Sequence, residues 1–438
     1  MSTPLQRPLC IGLSLAITWL TGDGWRRADS DVERIHTAGF YLDIARRAER
    51  AGLDFLFRPD ALFLDPQALE RGPGFSSLEP TVLLAAIAHA TARIGLVTTA
   101  STRFNPPYAV ARQLQSLSWV SDGRAGWNIV TSLDGGRNFG AAAMSSSQQR
   151  YAQALEFTEA VLRLWRSFPH EALLVDREAG RFADAGRIAP IDHAGAFFQV
   201  QGPLNIPAHP SGRLPLFQAG ASPWGRDFAA RVADAVFAAS PDLAAGIELR
   251  QDLRARAQAH GRRAEAIRVL PGLSLYLGDS AEEARELYQA THARQDRSRG
   301  LAYLRELIGL DLSGLAPDQP VTAQMLPDPA QPVRSHTHAE LVRRLIARER
   351  PTVDTLLARP EVAGSAHWRV VGTVEDALAE IRARVQAGAA DGFIALPGGA
   401  LRSLELLLDE LVPRLAEQGL FRDGYAGTTL REHLGIED

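Results

Sequence analysis

The strongest constraint on the fold is a regular alternation of two kinds of segment along 438 residues. Short apolar or β-branched runs alternate with longer stretches in which apolar residues recur at helical spacing. We predict eight strands, at residues 9–17, 54–58, 94–98, 125–130, 216–219, 235–238, 267–276 and 392–396. This order is typical of parallel strands that are joined by crossover helices.

Eight such units favour a closed (β/α)8 TIM barrel over an open doubly wound sheet, because no G-x-G-x-x-G loop follows the first strand. A bare barrel needs about 250 residues, so we interpret residues 1–438 as a single barrel domain that carries insertions. Residues 175–215 contain glycines, prolines and short alternating pieces, which predict a hairpin excursion. Residues 300–365 are rich in proline and then turn helical, and they form either a disordered surface loop or a lid.

The composition excludes several kinds of chemistry. All 47 basic residues are arginine, so neither a Schiff-base lysine nor a P-loop lysine is available. Cys10 is the only cysteine, which excludes intrachain disulfides and cysteine-ligated zinc or iron–sulfur sites. The net charge is −4, and no basic stripe predicts nucleic-acid binding. The chemistry must therefore come from an organic cofactor, or from histidines and carboxylates.

The N-terminus superficially resembles a signal peptide, because Arg7 precedes an apolar run over residues 9–20. No small-x-small cleavage site follows, so we favour a buried first strand. The run over residues 81–100 is interrupted by His89 and Arg93 and falls short of the roughly 18 uninterrupted apolar residues of a membrane span. We expect a cytoplasmic protein without a membrane partner.

Residues that follow the strands are the candidates for a site, since barrel sites form at the carboxyl ends of the strands. Asp60, Thr98 and Asn128 occupy such positions, in surroundings that are small, neutral and rich in hydroxyls. This set favours a planar polar ring system over a metal. Asp60 itself has two interpretations, as a carboxylate of a turn or helix start, or as a ligand of a cofactor.

The segment from Gln218 to Arg226 runs from a strand through glycines into a predicted helix. Backbone N–H groups at the helix start, the Ser222 hydroxyl and Arg226 would together hold a phosphate. The alternative is an ordinary strand-to-helix turn that Ser222 caps. Arg150 and Tyr151 begin another helix and either face an anion or are a solvated arginine beside a core tyrosine.

Two other chemistries are less well supported. His336 and His338 lie in the proline-rich insertion without a third ligand nearby, so we favour a loop pair over a metal site and predict no metal. Ser-His-Asp hydrolysis lacks its G-x-S-x-G elbow.

Several motifs together resemble one family, the flavin-dependent monooxygenases related to the nitrilotriacetate, EDTA, dibenzothiophene-sulfone and long-chain-alkane monooxygenases of the bacterial-luciferase-like superfamily. The segments that carry the resemblance span almost the whole chain in the family's order, at residues 57–60, 95–102, 125–132, 137–140, 202–205, 218–220 and 421–431.

The resemblance implies a (β/α)8 barrel that receives reduced FMN from a separate NAD(P)H-dependent flavin reductase. The family's chemistry forms a C4a-(hydro)peroxyflavin with O2, which oxygenates a small organic substrate. Asp60, Thr98 and Asn128 would contact the flavin ring or ribityl chain. The residues implied for the phosphate end are Tyr151, Gly220, Ser222, Gly225 and Arg226. Relatives commonly form homodimers or homotetramers.

The chain departs from the family at two positions. Ser147, which we include among the cofactor-binding residues, stands where many relatives have a histidine, and Ala221 stands where they often have a serine. The catalytic residues are therefore not assigned. Arg103 and Phe104 are expected on the substrate side, where Arg103 either meets an anionic group or forms a structural salt bridge. The alternatives are a deazaflavin-dependent oxidoreductase and a non-catalytic flavin-binding protein.

Overall fold

A computed structural model describes residues 7–140, 145–220, 222–294, 297–328, 333 and 336–436. Its strands, in chain order, are β1 (Cys10–Ser14), β2 (Phe55–Arg58), β3 (Gly95–Ser101), β4 (Ala125–Val130), β5 (Leu173–Asp176), β6 (Arg181–Ala183), β7 (His193–Ala194), β8 (Gln199–Val200), β9 (Leu216–Gln218), β10 (Ala235–Ala238), β11 (Arg268–Leu277), β12 (Trp368–Gly372) and β13 (Gly392–Pro397).

The α-helices of the described chain are α1 (Ala38–Arg50), α2 (Pro66–Leu69), α3 (Pro80–Ala90), α4 (Pro107–Val120), α5 (Ser147–Arg166), α6 (Pro223–Val232), α7 (Leu243–Ala259), α8 (Ala281–His292), α9 (Arg297–Ile308), α10 (His336–Glu349), α11 (Val353–Leu357), α12 (Pro360–Ala363), α13 (Val374–Gln386), α14 (Leu401–Leu406), α15 (Val412–Glu417) and α16 (Leu430–Leu434). A π-helical turn, Leu407–Leu411, joins α14 to α15.

Eight parallel strands close a barrel in the spatial order β1-β2-β3-β4-β9-β10-β11-β13, with β13 paired back onto β1. The predicted (β/α)8 barrel is therefore confirmed, and the eight predicted strands are the ones that form it. The strand β12 is not among the predicted strands. This strand pairs with the second half of β11, Leu273–Leu277, whereas β10 pairs with the first half.

The helices cover the barrel with the faces that their spacing predicts. In α1, Tyr41, Ile44, Ala45 and Ala48 are buried, and the helix is followed by Gly52 at a φ of 80°. Pro80 begins α3, where a missing backbone N–H costs nothing, and the Glu79 side chain accepts a hydrogen bond from the Val82 N–H.

The N-terminal end of the barrel is sealed by α16. Leu430 and Leu434 join the apolar cluster inside the barrel, together with Phe55, Val97 and Phe217. A Cβ at Gly95 or Gly126 would lie 2.5 or 2.7 Å from the Leu430 side chain. Glycine at these two strand positions therefore makes room for the plug.

The two insertions are ordered in the parts that the structure describes. Two small antiparallel sheets, β5-β6 and β7-β8, form where one hairpin excursion is predicted. The later insertion contains α9 to α12, which share an apolar core that includes Leu304, Val342 and Val353. The disordered-loop alternative is therefore wrong for the described residues, while the role as a lid stays a prediction.

No helix in the described part of the chain is long and apolar enough to cross a membrane.

Candidate active site

Some residues at the carboxyl ends of the barrel strands, an end that we call the mouth, are partly exposed. Val130, Phe237 and Ser274 lie on strands of the barrel and are partly exposed at this end, whereas Phe55 and Phe57 lower in the barrel are fully buried. The mouth thus gives access to the upper part of the barrel, which is the usual place of a barrel active site.

A chain of hydrogen bonds orients Asn128 at the mouth. Its Nδ2 donates to Thr99 Oγ1 at 2.9 Å, and the Thr99 hydroxyl donates to the Arg58 carbonyl oxygen at 2.7 Å. Asn128 is 3% exposed, and its Oδ1 has no hydrogen-bond partner. Since buried acceptors are rarely left unpaired, Oδ1 is suited to a donor on a bound molecule.

The structure corrects the position of the threonine by one residue. The Thr98 hydroxyl lies 2.9 Å from that of Thr81 on α3, on the helix-facing side of the strand. Side chains alternate along a strand, so Thr99 takes the place that was expected of Thr98.

Asp60 lies just beyond β2 and is half-buried. Burial raises the pKa of its carboxyl above the ordinary value, and the nearby Glu79 raises this pKa further. The backbone of Ala61 hydrogen-bonds to the carboxylate and opposes the shift. Asp60 therefore lies at the mouth as expected, as a carboxyl group that is more easily protonated than a solvated one.

Tyr151 stands at the centre of a second polar group, with Gly220 and Gly225 packed around its hydroxyl. A Cβ at Gly220 or Gly225 would lie 2.4 or 2.7 Å from Tyr151 Oη, so both positions require glycine. Gln218 Nε2 donates to Tyr151 Oη at 3.4 Å, while the buried Gln218 Oε1 has no partner. Burial raises the pKa of Tyr151, and its hydrogen bond to Ser222 partly opposes this. The phenol therefore stays protonated and can donate.

Ser222 caps α6, and its Oγ accepts a hydrogen bond from the Gly225 N–H at 3.1 Å. Tyr151, Gly220, Ser222 and Gly225 are thus brought together as expected for a phosphate end. Ala221 lies outside the described residues.

Arg226 is oriented differently from the expectation. Its Nη1 contacts Glu248 at 2.7 Å and Asp252 at 3.0 Å, both on α7. Because these two carboxylates compensate its charge, the guanidinium is not held ready for a phosphate beside Ser222.

The start of α5 lies over the same side of the mouth. Ser146 caps this helix in a capping box with Gln149, and Ser147 is its first residue. Arg150 is 9% exposed, and its Nη1 donates to the Ser145 carbonyl oxygen at 2.6 Å. Burial lowers the pKa of Arg150, and the positive charge of Arg103 lowers it further. Arg150 thus lies in the same electrostatic environment as Arg103.

Arg103 and Phe104 form the rim beyond β3. Arg103 Nη1 donates to the Ser132 carbonyl oxygen at 3.3 Å, and its guanidinium lies 5.0 Å from the centre of the Phe104 ring. Phe104 stacks on Phe139 with ring centres 4.9 Å apart. The pair provides a cationic group beside an apolar surface.

Only one side chain of the histidine pair in the insertion, His338, is described. His338 Nε2 lies 3.2 Å from the Ser365 carbonyl oxygen, and the His336 side chain is outside what the structure describes. Among the described residues, no three histidine, cysteine, aspartate or glutamate side chains are grouped to hold a metal ion.

Thr99 and Gln218 lie in segments that the sequence indicates but were given no role of their own, and His367 was missed. The alternation of side chains along the 94–98 run and its neighbours is a signal for Thr99 and Asn128 sharing one face. No comparable signal exists for His367, because its position depends on how the chain returns from the insertion.

This geometry defines a (β/α)8 enzyme with a polar candidate ligand site at the carboxyl ends of its described strands. The family model described as luciferase-like monooxygenase matches residues 21–391. Nitrilotriacetate monooxygenase component A of Aminobacter aminovorans is 37% identical over 444 residues, covering 98% of this chain and 97% of that protein.

Two solved structures are similar over the whole chain. EDTA monooxygenase from Chelativorans sp. BNC1 is 30% identical with a TM-score of 0.80, covering 98% of this chain and 99% of that one. A riboflavin lyase, solved with modified FMN and riboflavin, is 31% identical with a TM-score of 0.84, covering 98% and 96%. The chain belongs to the luciferase-like monooxygenase family, and it is a flavin-dependent monooxygenase.

Proposed function

We propose that the protein is the oxygenase of a two-component system, which uses reduced FMN and O2 to oxygenate a small organic substrate at the barrel mouth. The observation that carries the proposal is the pair of polar groups described above, with Asn128 Oδ1 unpartnered in one and the donors Tyr151 and Ser222 in the other. Bound reduced FMN supplies the electrons that activate O2. The protein binds and orients the reduced flavin and shields it from water.

The phosphate of FMN is assigned to Tyr151, Ser222 and the start of α6. The raised pKa of Tyr151 keeps its hydroxyl a donor, and the Ser222 hydroxyl lies within its hydrogen-bonding range. The positive end of the α6 dipole favours an anion at the same point. Arg226 has no direct part in this assignment, since Glu248 and Asp252 hold it.

The flavin ring is assigned to Asn128 and Asp60. Asn128 offers an acceptor whose orientation is fixed by Thr99, so it can receive a hydrogen bond from a ring N–H without reorganisation.

The only cysteine is remote from this chemistry, because Cys10 begins β1 and is buried in the lower barrel. Burial raises the pKa of its thiol well above the ordinary value, which keeps it protonated and unreactive.

We infer that the substrate carries an anionic group, which Arg103 and Arg150 would bind beside the Phe104 ring. The position of the Arg103 guanidinium over the Phe104 ring, at the rim beyond β3, supports this assignment. Nitrilotriacetate and EDTA, after which two relatives are named, are multiply carboxylated compounds.

The component nomenclature of one relative supports a separate NAD(P)H-dependent flavin reductase as the source of reduced FMN. Homo-oligomerisation and a cytoplasmic location stay predictions.

Anaerobic and aerobic mixing experiments test this function. The purified protein is mixed with chemically reduced FMN, and the flavin absorbance is followed after O2 is added. We expect tight binding of reduced FMN and a reoxidation time course with more phases than free reduced FMN shows. Binding with unaltered reoxidation would favour the non-catalytic flavin-binding protein. Absence of FMN binding together with deazaflavin binding would favour the deazaflavin-dependent oxidoreductase.

A further inference from the structure

One histidine inside the barrel mouth has no role in the site described so far. His367 directly precedes β12, where the chain returns from the α9–α12 insertion. Its imidazole stacks on Phe237 of β10, with ring centres 5.1 Å apart and an interplanar angle of 13°. A Cβ at Gly272 of β11 would lie 2.4 Å from His367 Nδ1, so this glycine makes room for the imidazole.

These contacts place the imidazole within the barrel rather than between the barrel and its helices. Phe237 packs against Phe57 of the interior cluster, with ring centres 5.1 Å apart. Yet Phe237 and His367 are both partly exposed, unlike Phe57. The stacked pair therefore borders the opening of the mouth.

The hydrogen bonding of His367 differs from that of two other partly buried histidines, His433 and His292, whereas His170 shares with it a buried Nδ1 without a partner. His433 lies near the carbonyl oxygens of Asp54 and Gly427, and His292 Nδ1 lies 2.7 Å from the Tyr288 carbonyl oxygen. His367 Nδ1, by contrast, is buried without a partner. A buried imidazole nitrogen that is left unpaired destabilises the empty protein, so its retention favours a role toward a bound molecule.

We propose that His367 is a ligand-contact residue, whose imidazole hydrogen-bonds the ring of the flavin on the wall across from Asn128. The inference rests on the function proposed above. In the order of the barrel strands, β11 lies four places from β3, so the wall at Gly272 faces the wall at Thr99. Burial lowers the pKa of His367 to about 4, which leaves a neutral ring with one donor and one acceptor nitrogen.

Two variants separate this role from packing. His367→Phe keeps the ring that stacks on Phe237 and removes both nitrogens, whereas His367→Asn retains hydrogen-bonding groups. Oxidised FMN is the probe, and its dissociation constant is measured by quenching of flavin fluorescence. We expect binding about tenfold weaker for His367→Phe, a smaller loss for His367→Asn, and an unfolding temperature of His367→Phe that equals or exceeds that of the wild type.

Nitrogen-15 NMR of protein with labelled histidines gives a direct readout. The resonances of His367 are assigned by their loss in His367→Phe, and FMN is then added to the wild type. We expect the His367 nitrogens to shift, while those of His433 at the other end of the barrel stay unchanged.

The outcomes distinguish the two levels of the proposal. If the wild type binds FMN but His367→Phe binds it equally well and the His367 resonances do not move, the inference is overturned while the proposed function stands. If the wild type binds neither oxidised FMN nor, under anaerobic conditions, chemically reduced FMN, both are overturned.

Discussion

The two ends of the barrel differ in how they are covered and in how their buried polar groups are paired. At the N-terminal end, α16 inserts Leu430 and Leu434, and the buried Asp54 accepts a hydrogen bond from the Ile11 N–H at 2.6 Å and pairs with Arg422. At the mouth, Asn128 Oδ1 and His367 Nδ1 are buried without partners. Arg422 Nε is also buried without a partner at the sealed end, but α16 covers that end, whereas the unpaired atoms at the mouth lie near partly exposed residues such as Val130 and Phe237.

The largest expected effect is at the sealed end. Leu430→Ala removes the plug beside Gly95 and Gly126 and leaves a cavity, because backbone without Cβ atoms surrounds it. We expect the free energy of unfolding to fall by about 3 kcal/mol, measured by urea denaturation. FMN affinity of the folded protein should not change. Val82→Ala, at a 70% exposed position on α3, serves as the control, and it should lower the free energy of unfolding much less than Leu430→Ala does. A loss of FMN affinity in Leu430→Ala would show that the two ends are not independent.

The second effect is a pH dependence of stability that arises from His433 at the sealed end. Burial lowers its pKa to about 4, from an ordinary value of 6.5. The folded state thus binds fewer protons, so the contribution is full above pH 6.5 and is lost as the pH falls toward 4. At pH 5 we expect His433 to contribute a loss of about 2 kcal/mol relative to pH 7. The measurement is the difference between wild type and His433→Gln in urea denaturation, because His367, whose pKa is also lowered to about 4, adds a loss of its own. His433→Gln should flatten this part of the profile, and an unchanged slope would contradict the assignment.

The barrel strands could be predicted from the sequence, but the additional strand β12 could not. The eight barrel strands could be predicted because each is a short apolar run between helical segments, and such a run indicates a buried strand. The strand β12 was missed because it pairs only with β11, and just two of its alternating residues, Trp368 and Val370, add apolar burial to the barrel wall.

The candidate site was only partly predictable, for two physical reasons. Glycines and Ser222 around Tyr151 could be anticipated, because a strand-to-helix turn has local sequence requirements. The choice between Thr98 and Thr99 depends on which face of β3 looks inward, and both residues follow an apolar run. The pairing of Arg226 with Glu248 and Asp252 depends on how α6 packs on α7, which spacing within one segment does not reveal.

A third prediction concerns the phosphate end of the mouth. Tyr151→Phe removes a buried donor, and Ser222→Ala removes both a donor and the cap of α6. We expect each to weaken FMN binding about tenfold, and Ser222→Ala to lower the free energy of unfolding by about 1 kcal/mol. The measurement is FMN fluorescence quenching, with riboflavin as the matched ligand that lacks the phosphate.

The control for this pair is Ser116→Ala, at a partly exposed serine on α4 whose hydroxyl donates to the Arg112 carbonyl oxygen of its own helix. It should leave FMN affinity unchanged. If both Tyr151→Phe and Ser222→Ala bind FMN as the wild type does, the phosphate does not lie at this end of the mouth. If they weaken FMN and riboflavin equally, these residues contact the ring instead.

The smallest effect is expected from two adjacent threonines, and it tests the correction made on β3. Thr99→Val frees Asn128 Nδ2 from its partner and should weaken FMN binding by a few-fold, because the amide loses its fixed orientation. Thr98→Val removes a hydrogen bond to Thr81 on the helix-facing side, so it should lower the free energy of unfolding by about 1 kcal/mol and leave FMN affinity unchanged. The same measurements on both variants decide the point, since the substitutions are chemically identical and differ only in the face of the strand. A larger loss of affinity in Thr98→Val would return the flavin contact to the residue that the sequence first indicated.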